Sequence, residues 1–208
     1  MANDNNPRGL IPLDWPYTKV HAYRITTGGD VFLGQGVDAV AAGYVSAVTI
    51  TGIQTLIGVV VGFTGPNESG LATNAPFLDV SDLTPVVGGL PAGDRFAIVA
   101  DDPDQLYVVQ EDTGGTALTL AETWSSIDGI FRGTDADNTD GNTNTGWANL
   151  EIDASSVVQT TAATFQIVKL YETVNSDGTR NAVGDYAKWV IKILHHRMRG
   201  ANIMVPVV

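Results

Sequence analysis

The sequence contains no cysteine, which excludes disulfide bridges, thiolate zinc sites and a cysteine nucleophile. Basic residues are also few: 11 Lys and Arg stand against 23 Asp and Glu, for a formal net charge of -12. Nucleic-acid binding depends on Lys and Arg that neutralise phosphates, and anionic membrane surfaces attract polybasic segments. The charge balance therefore predicts a soluble protein whose direct partners are neither nucleic acids nor membranes.

Long apolar runs and catalytic motifs are missing as well. No apolar run approaches the roughly 18–20 residues that cross a bilayer, and residues 1–8 do not resemble a secretory signal. There are three histidines, and there is no G-x-S-x-G, P-loop or H-E-x-x-H motif. We therefore predict a protein that is not an enzyme and that needs no cofactor or metal. The lack of cysteine fits synthesis in a reducing compartment.

Short segments with strand-like patterns recur along the chain, separated by Gly, Pro, Asn and Asp. Residues 58–63 are apolar on both faces, which is typical of a core strand, and their glycines permit bulges. Residues 164–174 and 186–196 predict a long hairpin with Trp189 facing the core. We predict an all-β fold for residues 21–208: a single antiparallel β-sandwich or barrel with long loops. A jelly-roll-like arrangement is the first choice and a β-tulip-like one the alternative.

The most regular stretch is residues 95–112, in which two β-branched and aromatic segments flank DDPDQ at residues 101–105. Pro103 and the aspartates favour a turn, and loops of about four to five residues commonly close hairpins. We therefore predict a central β-hairpin here. Asp101, Asp102 and Asp104 could instead ligate a metal ion, but carboxylates on a turn usually face water.

Residues 1–20 are expected to form an extended N-terminal arm. Pro7, Pro12 and Pro16 each remove a backbone donor, which disfavours helix and central strand. The arm is nevertheless apolar, so it should either fold back on its own domain or dock on a partner by strand addition or groove binding. The candidate contact residues are Pro7, Arg8, Leu10, Ile11, Leu13, Trp15 and Tyr17. The Gly- and Pro-rich loops of residues 64–94 are a second candidate contact.

Polar side chains that could bind a metal ion occur in two further places. Asp135, Asp137 and Asp140 precede a glycine, as in a calcium loop. Their spacing is one residue longer than in an EF-hand and no bidentate glutamate follows, so we expect a solvated loop. His195 and His196 should point to opposite faces of a strand, which disfavours a metal ion shared by the two. The apolar tail, residues 201–208, is expected to pack on a neighbouring subunit.

Three motifs occur in order along the chain: NNPRGLIPL at residues 5–13, IVADDPD at 98–104 continuing to VQED, and AKWVIKI at 187–193. In this order the sequence resembles the capsid decoration (cement, or auxiliary head) proteins of tailed bacteriophages. The likeness covers the arm and residues 95–197, and it is weak over residues 40–90. It implies a β-rich virion protein, made in the host cytoplasm, that clamps neighbouring subunits of the major capsid protein. It also implies homotrimers at three-fold or quasi-three-fold lattice positions.

Two other classes of function stay open. A carbohydrate-binding β-sandwich of a phage tail or adhesion protein is the first, because Trp15, Trp124 or Trp147 could stack on a sugar if exposed. A β-barrel hydrolase that uses paired carboxylates is the second, and it would require two acids converging in a deep pocket.

Overall fold

The computed structural model describes residues 3, 5–14, 19–25, 30–40, 43–50, 52–64, 77–78, 96–131, 141–142, 145–159 and 163–199. Several predictions lie outside these residues: those for Trp15 and Tyr17, most of the 64–94 loops, the aspartates of residues 133–140 and the tail at 201–208. Among the described residues, no helix is long and apolar enough to span a membrane.

The described chain is built from strands and two single-turn 3-10 helices, Leu120–Glu122 and Ala154–Ser156. The strands are β1 (Ile11–Pro12), β2 (Val20–Ile25), β3 (Val31–Phe32), β4 (Gly36–Ala39), β5 (Tyr44–Ala47), β6 (Gly58–Thr64), β7 (Phe77–Leu78), β8 (Phe96–Ala100), β9 (Leu106–Gln110), β10 (Ser126–Ile127), β11 (Gly129–Phe131), β12 (Leu150–Ile152), β13 (Phe165–Leu170) and β14 (Lys188–Ile193). The prediction of an all-β fold with a sandwich or barrel is confirmed.

Five of the strands close into a barrel in the order β2-β5-β4-β6-β8. The β2–β5 pair is parallel, and the other pairs are antiparallel. Ile25, Val45, Val60 and Phe63 belong to the apolar cluster that fills the barrel. β6 is buried on both faces at its start and carries a register shift between Val60 and Gly62, so the predicted glycine-bearing core strand is present.

A second, five-stranded sheet is antiparallel throughout, in the order β1-β9-β14-β13-β10. The predicted hairpin of residues 164–174 and 186–196 is confirmed by the pairing of β13 with β14. Trp189 is fully buried, and Tyr107 and Ile191 lie with it in the main core of the protein. The opposite face of this sheet, which we call the outer face, carries the alternate residues of each strand.

The predicted central hairpin is wrong. β8 and β9 are both present, but β8 pairs with β2 and β6 in the barrel, whereas β9 pairs with β1 and β14. The turn itself forms, since the Gln105 N–H donates to the Asp102 carbonyl at 3.0 Å. Both strands are largely buried, so each needs partners on two sides, and the turn carries the chain from the barrel to the sheet. The Tyr107 hydroxyl donates to the Ala100 carbonyl at 3.0 Å and ties the two strands across that change of sheet.

The described part of the arm lies on its own domain. Ile11 pairs with Val108 and Pro12 with Tyr107, so β1 forms one edge of the sheet. Leu10 is fully buried in the main core. Near the start of the arm, the Asn3 side-chain amide donates to the Ala182 and Asp185 carbonyls at 2.9 and 3.0 Å. These contacts fix the arm at three points along its length.

Two glycines allow the arm to cross the barrel at close range. Gly9 and Gly34 have φ values of +63° and +79°, in the left-handed region that favours glycine. A Cβ on Gly34 would lie 2.2 Å from the Arg8 carbonyl oxygen, and a Cβ on Gly9 would lie 2.4 Å from the Gly34 carbonyl oxygen. The Leu10 N–H donates to that same Gly34 carbonyl at 2.9 Å. The close approach of these two segments therefore requires glycine at both positions.

Candidate functional site

A surface cleft of about 480 Å³ follows the arm, bounded by β1, by β9, by the start of β14 and by the residues after β13. We call it the arm cleft. Its lining residues are Asn6, Arg8, Gly9, Ile11, Pro12, Leu13, Val108, Val109, Gln110, Tyr171, Thr173, Ser176 and Lys188. The volume lies within the roughly 300–1,000 Å³ range that is usual for ligand sites.

Strand register brings the cleft residues together. Ile11 lies opposite Val108, and Lys188 lies opposite Gln110, so these side chains share the outer face of the sheet. Gln110 is held in place at the back of the cleft: it accepts the Asn6 N–H at 2.8 Å and donates to Glu151 at 2.6 Å. Hydrogen bonds within the chain therefore fix this wall of the cleft in the absence of a partner.

The free edge of β1 is poorly suited to strand addition. The Leu13 N–H donates to the Leu106 carbonyl of β9, so the nitrogen of Pro12, one residue earlier, faces away from β9 and has no hydrogen to donate. The outward-facing Leu10 N–H already donates to the Gly34 carbonyl, in the turn between β3 and β4. Of the two predicted docking modes, the geometry favours groove binding over strand addition.

The cleft differs in charge from the rest of the molecule. Among the described residues, its lining includes the cations Arg8 and Lys188 and no Asp or Glu, in a chain of net charge -12. Neither cation has an ion pair with a described residue, and the Arg8 guanidinium lies 6.0 Å from the centre of the Trp147 ring. Other cations are paired: Lys19 with Asp102 at 3.0 Å, and Lys192 with Asp104 at 2.8 Å.

Comparison with protein-family models, curated proteins and solved structures finds no significant match.

The predicted contact residues of the arm divide into three groups. Arg8, Ile11 and Leu13 line the arm cleft, and Pro7 is half-buried beside it. Leu10 is fully buried, so its side chain belongs to the core and not to the cleft. Trp15 and Tyr17 lie outside the described residues. Sequence reasoning missed the other wall of the cleft, which includes Val108, Tyr171, Thr173 and Lys188, because only long-range strand pairing brings it to the arm.

The three turn aspartates bond to side chains from distant parts of the chain, and Asp104 also faces water as expected, with 80% of its side chain exposed. The Asp101 carboxylate is buried and accepts from the Tyr23 hydroxyl and from His21 Nδ1–H, the latter at 2.8 Å. Burial and the bond to Asp101 raise the pKa of Tyr23. The Lys192 ammonium lowers the pKa of Asp104. These carboxylates therefore fix the turn to the barrel and to β14. No group of three or more His, Asp or Glu in the described ranges is placed to hold a metal ion.

A second acid is buried at the end of β9. Glu111 is fully buried and accepts the Leu118 N–H at 2.7 Å and the Trp189 indole N–H at 2.8 Å. Burial nevertheless raises the pKa of Glu111 to about 7, because desolvation of the anion outweighs these two bonds. The nearby Asp112 and Asp185 carboxylates act in the same direction. Sequence alone identified Glu111 as an acid but gave no sign of its burial.

Stability is expected to decrease as the pH rises through Glu111's titration. The unfolded chain releases this proton near pH 4.5 and the folded chain near pH 7. The contribution of the neutral group is therefore fully present below pH 4.5 and lost as the pH approaches 7. Urea unfolding of the wild type and of Glu111→Gln at pH 5 and pH 8 measures this contribution. The fall in stability between the two pH values should be smaller in the variant, and an equal fall would contradict the assignment to Glu111.

Proposed function

We propose that this chain is a structural capsid decoration protein, which binds across neighbouring major capsid protein subunits and stabilises a phage head. The observation that carries the proposal is the arm cleft. The arm holds the first of the three resemblance motifs, and its side chains Arg8, Ile11 and Leu13 line a concave, partly apolar surface. A cleft fixed by the fold suits an interaction protein, because little conformational entropy is lost when a partner binds.

A decoration protein stabilises a shell through the surface area that it buries against the capsid subunits. A protein that spans the seam between two subunits adds contact surface that must be exposed before the subunits separate, and so it shifts the equilibrium towards the intact shell. A stable interface buries about 800 Å² on each partner. The arm cleft would be the centre of such a contact, and the surrounding sheet and loops would supply the rest.

Co-sedimentation with capsid shells that lack a decoration protein tests the proposal. We expect saturable binding of the wild type and a higher melting temperature of the occupied shells. Ile11→Ser, which removes an apolar side chain from the cleft, should weaken binding about tenfold, the effect of losing one well-buried aliphatic contact. Leu120→Ser is the matched control, because Leu120 is 63% exposed and is outside the cleft. Absence of the wild type from the shell pellet at tens of micromolar would reject the proposal.

The resemblance also implies a homotrimer. Light scattering of the free protein is expected to give three chain masses in solution. If a single chain mass is found, the trimer prediction fails for the free protein, and the same measurement on shell-bound protein then decides whether the capsid assembles it.

Carbohydrate binding remains a second candidate because of Trp124. This side chain is 66% exposed, and its backbone has φ +73°, which is unusual for a non-glycine residue and often marks a functional position. Thr119 caps the short helix before it, through bonds with Glu122 and Ala121. Trp147, by contrast, is half-buried. A glycan array probed with the wild type and with Trp124→Ala tests this function, and an array without hits would count against it.

A further inference from the structure

We infer that the arm cleft binds a short acidic segment of the partner protein, with an Asp or Glu carboxylate held by Arg8 and Lys188. This inference deepens the proposed function and rests on it for the identity of the partner, a capsid subunit. The chemistry of the cleft is argued separately, from its charges, its apolar surface and its fixed walls.

The distribution of charge is the first argument. The chain has 23 Asp and Glu and 11 Lys and Arg, yet the lining residues that the structure describes include two cations and no acid. The described aspartates of the nearby turn are already engaged, Asp102 by Lys19 and Asp104 by Lys192 and Arg199. Arg8 and Lys188 are thus left without a carboxylate partner in the described part of the chain. An incoming carboxylate would supply a counter-charge that the described lining residues lack.

The apolar part of the cleft lining is the second argument. The lining includes the apolar residues Ile11, Leu13 and Val108, together with Thr173 and Tyr171, whose side chains carry hydroxyl groups. Exposed ion pairs contribute little affinity each, because water and salt screen the two charges, so charge alone would not hold a ligand. The aliphatic contacts would provide most of the affinity, and the two cations would select acidic sequences over neutral or basic ones. A segment with acidic and aliphatic residues together fits both parts of the lining.

The fixed walls are the third argument. Gln110 is committed to Asn6, Asn5 and Glu151 through three hydrogen bonds, so it shapes the cleft and does not serve as a ligand. Asn3 anchors the start of the arm, and Leu10 anchors its middle in the core. The two cations are therefore presented from a rigid edge, which favours recognition of a defined segment over a diffuse attraction to anions.

Titration with a labelled peptide tests the inference without a capsid. The probe is a nine-residue peptide with three aspartates separated by valine and serine, and its control has asparagine at the same three positions. We expect the acidic peptide to shift the backbone amide NMR signals of Tyr171, Thr173 and Lys188, with binding that weakens as salt is added. The asparagine peptide should bind about tenfold more weakly, the loss expected from two exposed ion pairs.

Charge-reversal variants locate the site. Arg8→Glu and Lys188→Glu should each lower the peptide affinity about tenfold, as expected when an attraction becomes a repulsion, whereas Lys188→Arg should retain it. Lys169→Glu is the matched control: Lys169 is an exposed lysine on the outer face of the same sheet, opposite Val190, and does not line the cleft. Thermal unfolding of each variant verifies that it folds. Equal binding by the two peptides, unchanged affinity in both reversal variants, or displacement by millimolar inorganic phosphate would overturn the inference.

The two proposals can fail separately. If the acidic peptide binds the cleft but the protein does not sediment with shells, the capsid function fails and the cleft's specificity stands. If the wild type and Lys188→Glu sediment equally well, the acidic-segment inference fails while the decoration function stands.

Discussion

Replacement of Gly34 by alanine should lower the free energy of unfolding by about 3 kcal/mol or more, because two costs add. A left-handed residue other than glycine costs about 1–2 kcal/mol. In addition, the new methyl group would lie 2.2 Å from the Arg8 carbonyl, so the backbone of the arm must move away from the barrel. The same movement would stretch the bond from the Leu10 N–H to the Gly34 carbonyl. Urea unfolding measures the loss.

Gly43→Ala is the matched control for this experiment. Gly43 has the same φ of +79°, but a Cβ there would meet nothing within 4 Å. It should therefore lose only the conformational cost of about 1–2 kcal/mol. Equal losses of unfolding free energy in the two variants would show that the arm tolerates a side chain at Gly34. The close contact with Arg8 would then not contribute to stability.

Leu10→Ala should destabilise the protein by about 2–5 kcal/mol, the usual cost of truncating a fully buried leucine. Leu10 has no exposed surface and lies in the main core with Tyr107 and Trp189, so its loss leaves a cavity beneath the five-stranded sheet. The comparison is Leu13→Ala three residues later, where the half-buried side chain should cost roughly 1 kcal/mol. Both values come from the same urea titrations.

A cost at Leu10 no greater than at Leu13 would mean that the arm does not contribute to the core. The expected result also bears on how capsid binding is tested. Deletion of residues 2–17 would remove Leu10, Pro12 and the strand that covers β9, so a loss of capsid binding could reflect unfolding. Single substitutions at the rim of the cleft avoid this ambiguity.

The strands could be predicted from the sequence more reliably than their partners. Alternation and β-branched content located β2, β6, β13 and β14, because side-chain period is a local property. The prediction of a central hairpin was wrong because strand pairing is not a local property. A turn at residues 101–105 is compatible with β8 and β9 pairing together and also with their joining two different sheets. Which of these forms depends on partner strands that lie far away in sequence: β2 and β6 for β8, and β1 and β14 for β9.

The candidate site shows the same limit. The arm side of the cleft could be predicted, since prolines next to apolar residues mark an extended segment that needs a surface. Its far side could not, because Lys188 and Tyr171 reach the arm only through the register of β9, β13 and β14. The bond between His21 and Asp101 likewise joins residues 80 positions apart. Nothing in the local pattern at either residue indicates that contact.

The anchoring of Asn3 constrains how the chain reaches its final form. Its bonds to Ala182 and Asp185 join residues separated by 179 and 182 positions. Contacts this distant in sequence slow folding, since a long loop must be closed before they form. During synthesis, Asn3 cannot form these bonds until residues 182 and 185 have left the ribosome. Before β14 is made, β9 lacks that neighbour, and its unpaired backbone on that side is open to association with other nascent chains.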